Sequence, residues 1–161
     1  MKDELLFLSE SNAIEGVYDD DSLKQAVLAW EYLKTEKEMK LSVVLETHKI
    51  LMLNQHGLYP NEKGYFRKYE VSIGRSFGLN HVLVPEAVEE WCEAMNIPKN
   101  ITDGKEARSK RLHIDYEKIH PFADGNGRTG RMFMNWWRIK NGLPILVILD
   151  SEKYEYYKWF L

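Results

Sequence analysis

Apolar side chains recur at helical spacing through most of this chain, and that rhythm constrains the fold more than any other feature. Leu23, Ala26, Val27, Trp30 and Leu33 form one stripe. Ahead of it, Asp19-Asp20-Asp21-Ser22 supplies short polar side chains that accept bonds from the free N–H groups of a helix start. Leu41, Val44, Leu45, His48, Leu51 and Met52 form a second stripe, stopped by Gly57. Pro85 suits a first helical position, and Val88, Trp91, Cys92 and Met95 continue from it. Leu112, Tyr116 and Ile119 mark a helix ending near His120. Another starts near Gly127 and ends at Asn141-Gly142, with Pro144 just beyond. Residues 4–15 read as a short first helix, and Tyr154, Tyr157 and Phe160 suggest a last one. Trp136 and Trp137 are neighbours, ~100° apart on a helix, so only one of them is expected to face the core. The other is left to cover a ligand, to form a homo-oligomer interface or to lie exposed.

One stretch breaks the rhythm. Tyr69, Val71 and Ile73 alternate, Gly74 to Gly78 reads as a turn, and Val82 and Val84 alternate again, which predicts a hairpin. Two strands without a sheet are marginal alone, so such a hairpin is a flap over something or a surface loop. No internal repeat and no Pro/Gly/Ser-rich linker divides the 161 residues, so the expectation is a single, mostly α domain over 1–161 with a β-hairpin.

Composition removes several classes of function. With 44% hydrophobic residues, 5 Trp, 9 Tyr and 6 Phe, the chain has material for a core and is not of disordered type. The longest apolar run, Ile145–Leu149, is far short of the ~20 residues of a membrane span. The stretch MKDELLFLSESNA has no apolar core of the kind a secretory signal needs. The single cysteine, Cys92, forms no internal disulfide, and a cytoplasmic setting is the simplest expectation. A net charge of −3 lacks the basic footprint of a nucleic-acid binder, and Arg108, Lys110 and Arg111 read as a solvated helix face. No nucleic-acid or membrane partner is expected.

Residues 120–131, HPFADGNGRTGR, carry the chemistry. Gly125-Asn126-Gly127 is a turn running into a helix, and glycine lets the backbone approach a ligand closely. The first N–H groups of that helix lack internal partners and, with the dipole, make an anion site. Arg128 and Arg131 are three apart in the first turn, where cations are unfavourable unless an anion lies between them. Two guanidinium forks beside such a nest call for a polyphosphate. Asp124 offers a hard oxygen, and Mg²⁺ is typically held by one or two carboxylates plus phosphate oxygens. His120 can accept a proton near neutral pH. A base beside a clamped polyphosphate implies attack by a hydroxyl on phosphorus: phosphoryl or nucleotidyl transfer.

This segment resembles the Fic-domain motif, HxFx(D/E)GNGRxxR, at every specified position. The resemblance extends loosely from about Leu41 to Tyr157 and includes GYFRKYEVSIG and HVLVPEAV on either side of the hairpin. It implies a Fic-like helical bundle with a β-hairpin flap over residues 67–84 and the catalytic loop and helix start at 120–131. It also implies a protein adenylyltransferase that moves AMP from ATP, with Mg²⁺, onto a Ser, Thr or Tyr hydroxyl of a target protein docked at the flap. On that resemblance His120 is the general base, Asp124 the Mg²⁺ ligand, and Gly125, Asn126 and Gly127 the phosphate cradle. Arg128 holds the departing phosphates and Arg131 the γ-phosphate.

A second motif lies at residues 11–16, SNAIEG. Ser11 and Glu15, four apart, share one side of the first helix. The segment resembles the family's inhibitory motif, (S/T)xxxE(G/N), which implies that Ser11, Glu15 and Gly16 belong to an N-terminal inhibitory helix over residues 1–17. A Glu15 carboxylate paired with Arg131 would take the place of the γ-phosphate and misdirect the rest of the nucleotide. The same site leaves open removal of AMP, with Glu15 orienting a water, and transfer of another nucleotide or phosphate group. A non-catalytic nucleotide-binding interaction module is the reading from a different class.

Overall fold

The helices expected from the apolar stripes form in the computed structural model, which describes residues 2–97 and 104–161. They are α1 (Lys2–Ile14), α2 (Asp20–Thr35), α3 (Leu41–Met52), α4 (Val84–Asn96), α5 (Lys105–Ile119), α6 (Asn126–Lys140) and α7 (Lys153–Tyr157). Asp19 caps α2, its Oδ2 accepting the Ser22 N–H at 2.9 Å. Pro85 lies in the first turn of α4, where a missing N–H costs nothing. The fold is mostly α with one small hairpin.

Helix α6 is the axis of the molecule. It packs on α5, α1, α2 and α3, and its residues from Arg128 to Arg138 are all buried. Trp136 and Trp137 are 2% and 0% exposed, so the expectation that only one faces inward fails. That expectation assumed solvent on one side of the helix; α6 is covered on every side, and neither indole is left for an oligomer interface. Trp91 of α4, Tyr116 of α5 and Phe133 of α6 meet with ring centroids 4.9, 5.6 and 5.4 Å apart. Phe7 of α1 meets Trp30 of α2 edge-on at 5.5 Å.

The hairpin is smaller than the alternation suggested. Strands β1 (Ser72–Ile73) and β2 (Ser76–Phe77) pair antiparallel, Ser72 with Phe77 and Ile73 with Ser76, around a turn whose Gly74 has φ +59°. The second strand therefore falls inside the stretch read as a turn. Val82 lies in a 3₁₀ turn, and Val84 opens α4. The local reason is Asn80, whose Oδ1 accepts the Val82 N–H at 3.0 Å and starts a helical turn ahead of Pro85.

Helix α1 ends in a glycine cap. Val17 N–H bonds to Asn12 O at 3.0 Å and Gly16 N–H to Ala13 O at 2.9 Å, with Gly16 at φ +72°. Glu15 thus sits just beyond the last helical residue rather than within the helix.

Candidate active site

The junction of α5 and α6 is built by polar groups that hold backbone. His120 ends α5 in a left-handed conformation, φ +49°, with its N–H on Tyr116 O at 3.0 Å. Five residues later Gly125, φ +87°, precedes α6. A Cβ there would meet Met52 Sδ at 2.8 Å, so close packing as well as φ requires glycine. Between them the Asn126 side chain closes the loop: its Oδ1 accepts the Phe122 N–H and its Nδ2 donates to Phe122 O, both at 2.8 Å. Phe122, 0% exposed, stacks on His48 of α3 with centroids 3.7 Å apart.

His48 is buried and bridges two loops. Its Nδ1 accepts the Gly64 N–H at 2.9 Å, which places the proton on Nε2, and Nε2 donates to Asp124 O at 2.8 Å. Burial pushes its pKa down to about 4 and keeps the ring neutral. Thr129 donates to Gly125 O at 2.8 Å and accepts from the Tyr116 hydroxyl at 2.7 Å, which ties the helix start to α5.

The first bond inside α6 is Thr129 N–H to Gly125 O, 3.0 Å, so the N–H groups of Asn126, Gly127 and Arg128 have no intrahelical acceptor. Arg128 is 2% exposed yet poorly partnered. It makes 3.4 Å contacts to Gln55 Oε1 and Met52 Sδ, stands 3.9 Å from Asp124 Oδ2, and leaves a buried Nε without an acceptor. Burial lowers its pKa, as expected of a desolvated cation short of an anion.

Arg131, also 2% exposed, is fully engaged. Its Nε donates to Ser11 Oγ at 2.8 Å, Nη1 to the Tyr156 hydroxyl at 3.2 Å, and Nη2 to Ser11 O at 3.0 Å and Glu15 Oε1 at 2.8 Å. Burial works against its charge, but Tyr156 and Glu15 outweigh it and raise the pKa. The Glu15 carboxylate lies against Gly127, where any Cβ would strike its Oε1. An anion therefore already sits at the N-terminus of α6.

Asp124 is exposed, its Oδ1 accepting the Gly125 N–H at 2.8 Å. Among the described residues no group of three or more His, Cys, Asp or Glu is placed to hold a metal ion alone. A single open carboxylate beside an anion site suits an ion that arrives with phosphate oxygens. His120 is half-buried, and burial, with Arg67 nearby, lowers its pKa and favours the neutral, proton-accepting ring.

The structure thus brings His120, Asp124, Gly125, Gly127, Arg128 and Arg131 together with Ser11 of α1 and Glu15 just past its end. Asn126 departs from the expectation in one respect: its side chain is spent on the loop, and only its backbone N–H faces the cradle. Gly16 acts through the cap of α1. Sequence reasoning missed His48, Arg67 and Tyr156. His48 left a signal, a polar residue at an apolar position of the α3 stripe. Tyr154 and Tyr157 carried the stripe of the last helix, yet they are 72% and 42% exposed and Tyr156 is 4% exposed. A cleft of about 570 Å³, lined by Tyr59, Tyr65, Phe66, Tyr69 and Asp124 among others, opens beside the loop.

Residues 38–137 match the model of the Fic/DOC family. The chain is 28% identical over 124 residues to protein adenylyltransferase fic-1 of Caenorhabditis elegans, covering 77% of this chain and 24% of that protein. It is 32% identical over 143 residues to protein adenylyltransferase Fic of Drosophila grimshawi, covering 81% of this chain and 27% of that protein. It therefore spans about a quarter of the length of these relatives. The fold is similar to that of a Fic domain containing signaling protein from Bacteroides thetaiotaomicron, with TM-score 0.81 and 21% identity over 98% of this chain and 70% of that one. A fragment of Fic-1 from C. elegans gives TM-score 0.80 and 22% identity over 96% of this chain and 53% of that one.

Proposed function

Because this chain belongs to the Fic/DOC family, we propose that it is a protein adenylyltransferase restrained by its own Glu15. One observation carries the reading: the start of α6 offers three free N–H groups and two buried guanidinium groups, and the Glu15 carboxylate occupies part of that space. Such a nest takes the phosphates of ATP. Arg128, which lacks a full partner, binds the departing pyrophosphate. Arg131 binds the γ-phosphate once Glu15 moves away. Neutral His120 takes the proton from a Ser, Thr or Tyr hydroxyl of the target. That oxygen bonds to the α-phosphorus, the bond to the bridging oxygen breaks, and pyrophosphate leaves. Asp124 would hold Mg²⁺, which would supply charge neutralisation on the phosphates. The target segment docks at the hairpin by main-chain bonds, which positions its hydroxyl without demanding much sequence.

Two variants test this. Glu15→Gly raises transfer of labelled AMP to the protein itself or to proteins of a lysate, and His120→Ala in that background abolishes it. Equal labelling of Glu15→Gly and the parent refutes the restraint, and persistent labelling without His120 removes the imidazole from the reaction. Glu15 accepts from Arg131 through Oε1, and among the described residues its second oxygen has no hydrogen-bond donor, which leaves it to orient a water. Release of AMP from a pre-modified protein, lost in Glu15→Gly, would identify that reverse reaction.

A further inference from the structure

Arg67 is 4% exposed, and among the described residues no carboxylate lies at ion-pair distance from it. Its guanidinium is spent on backbone carbonyls from three segments. Nε donates to His120 O at 2.6 Å and Nη2 to Ile119 O at 3.1 Å, at the end of α5. Nη1 donates to Tyr69 O at 3.0 Å and Nη2 to Leu79 O at 2.5 Å, the two roots of the hairpin segment. Its own N–H bonds to Pro121 O at 2.9 Å. A cation suits the carbonyl end of a helix, and the rigid fork reaches acceptors that a lysine ammonium cannot serve together.

The acceptor at 2.6 Å matters most, because it is the carbonyl of the left-handed residue itself. Left-handed backbone costs about 1–2 kcal/mol for a residue with a Cβ, and the side-chain rotamers open to His120 depend on that backbone. Fixing the peptide after His120 therefore fixes where its imidazole points. Gly78 leaves room for the fork: a Cβ there would come within 3.2 Å of Nη2.

Resting on the transferase reading above, we propose that Arg67 is a positioning residue for His120: it ties the backbone of the base to both roots of the hairpin, so that a docked segment and the imidazole share one frame. Among the described residues the side-chain hydrogen bonds of Arg67 go to His120, Ile119, Tyr69 and Leu79 and to none of Asp124 to Arg131, so nucleotide binding is expected to depend on it little.

The test uses Arg67→Lys and Arg67→Gln in the Glu15→Gly background. Both are expected to lower kcat for AMP transfer by about 10- to 100-fold, the loss typical of a misplacement near 1 Å, with KM for ATP changed less than about threefold. Arg67→Lys, which keeps the charge but not the fork, is not expected to rescue kcat. The His120 imidazole signals, followed by NMR of histidine-labelled protein, are expected to shift in both variants. Their titration midpoint should rise in Arg67→Gln, where the Arg67 charge that lowers it is gone and that of Asp124, which raises it, remains. Unchanged kcat, full rescue by Arg67→Lys, or kcat and KM shifting in step with the folded fraction would each overturn the proposal. If Glu15→Gly with intact Arg67 transfers no AMP, the transferase reading fails by itself. The NMR comparison then decides the positioning role: unmoved His120 signals in both variants reject it. Should Arg67→Gln not fold, Arg67→Lys alone carries the test.

Discussion

Replacing Glu15 by Gln removes one charge and nearly keeps the shape of the side chain. Arg131 then keeps neutral acceptors, Ser11 Oγ, Ser11 O, the Tyr156 hydroxyl and the new amide oxygen at position 15, in place of a charged one. Breaking a fully buried ion pair costs about 3–5 kcal/mol, whereas exposed pairs are worth about 0–1 kcal/mol. This pair lies between those limits, because Arg131 is 2% exposed at the side chain and Glu15 38%. Water already screens the carboxylate, so about 1–2 kcal/mol is the appropriate size.

Two measurements read that quantity with opposite sign. Scanning calorimetry without nucleotide should show Glu15→Gln melting about 2–8 °C below the parent, since 1 kcal/mol moves a chain of this size by about 2–4 °C. Titration calorimetry should show it binding Mg·ATP about 5- to 30-fold more tightly, because the γ-phosphate no longer has to displace a carboxylate from Arg131. Equal melting temperatures and equal affinities would show that Glu15 does not hold Arg131 in solution. Lower melting with unchanged affinity would instead separate Arg131 from the nucleotide.

Two further outcomes follow from the loop and the buried ionisable groups. Asn126→Ala strips both Phe122 backbone groups of their partners; at about 1–3 kcal/mol per buried unpaired group, urea unfolding should show a loss of about 2–6 kcal/mol, and an unchanged midpoint would refute the clamp. Burial holds the pKa of His48 at about 4 and that of His113 at about 3, while the unfolded chain takes up those protons near 6.5. Between pH 6.5 and 4.5 the unfolded state therefore binds up to two more protons, and stability falls on acidification. Glu117, raised by burial to about 7, opposes this, because the folded state keeps a proton that the unfolded carboxyl has lost above 4.5. From these three groups the net slope is at most about one proton, roughly 1.4 kcal/mol per pH unit, and Glu117→Gln should steepen it toward two. Urea midpoints measured across that window check both, and a slope indifferent to Glu117→Gln would sink the assignment.

What could be read from the chain and what could not divides along contact distance. Helix limits were legible where a local signal decided them: the Asp19 cap, Pro85 in a first turn, Gly125 before α6. The Trp136–Trp137 expectation failed because a periodicity argument knows nothing of how many neighbours surround a helix. The hairpin register failed because Val82 and Val84 offer too short an alternation to outweigh a cap at Asn80.

The active-site residues show the same division. His120 to Arg131 lie within one turn and one helix start, so their meeting is a local fact. The side chains that aim them come from elsewhere: His48 reaches Asp124 across 76 residues, Arg67 reaches His120 across 53, and Ser11 reaches Arg131 across 120. Each is a polar group buried where an apolar one would pack, and each is spent on a backbone carbonyl or a guanidinium rather than on a ligand. Their pattern has no period, so neither 3.6 nor 2.0 spacing can reveal it. On the proposed function, the motif names the groups that would meet the phosphates, while the distant polar residues set the geometry of those groups. Two chains with an identical 120–131 segment can therefore differ widely in rate, and residues 48 and 67 are where that difference should be sought.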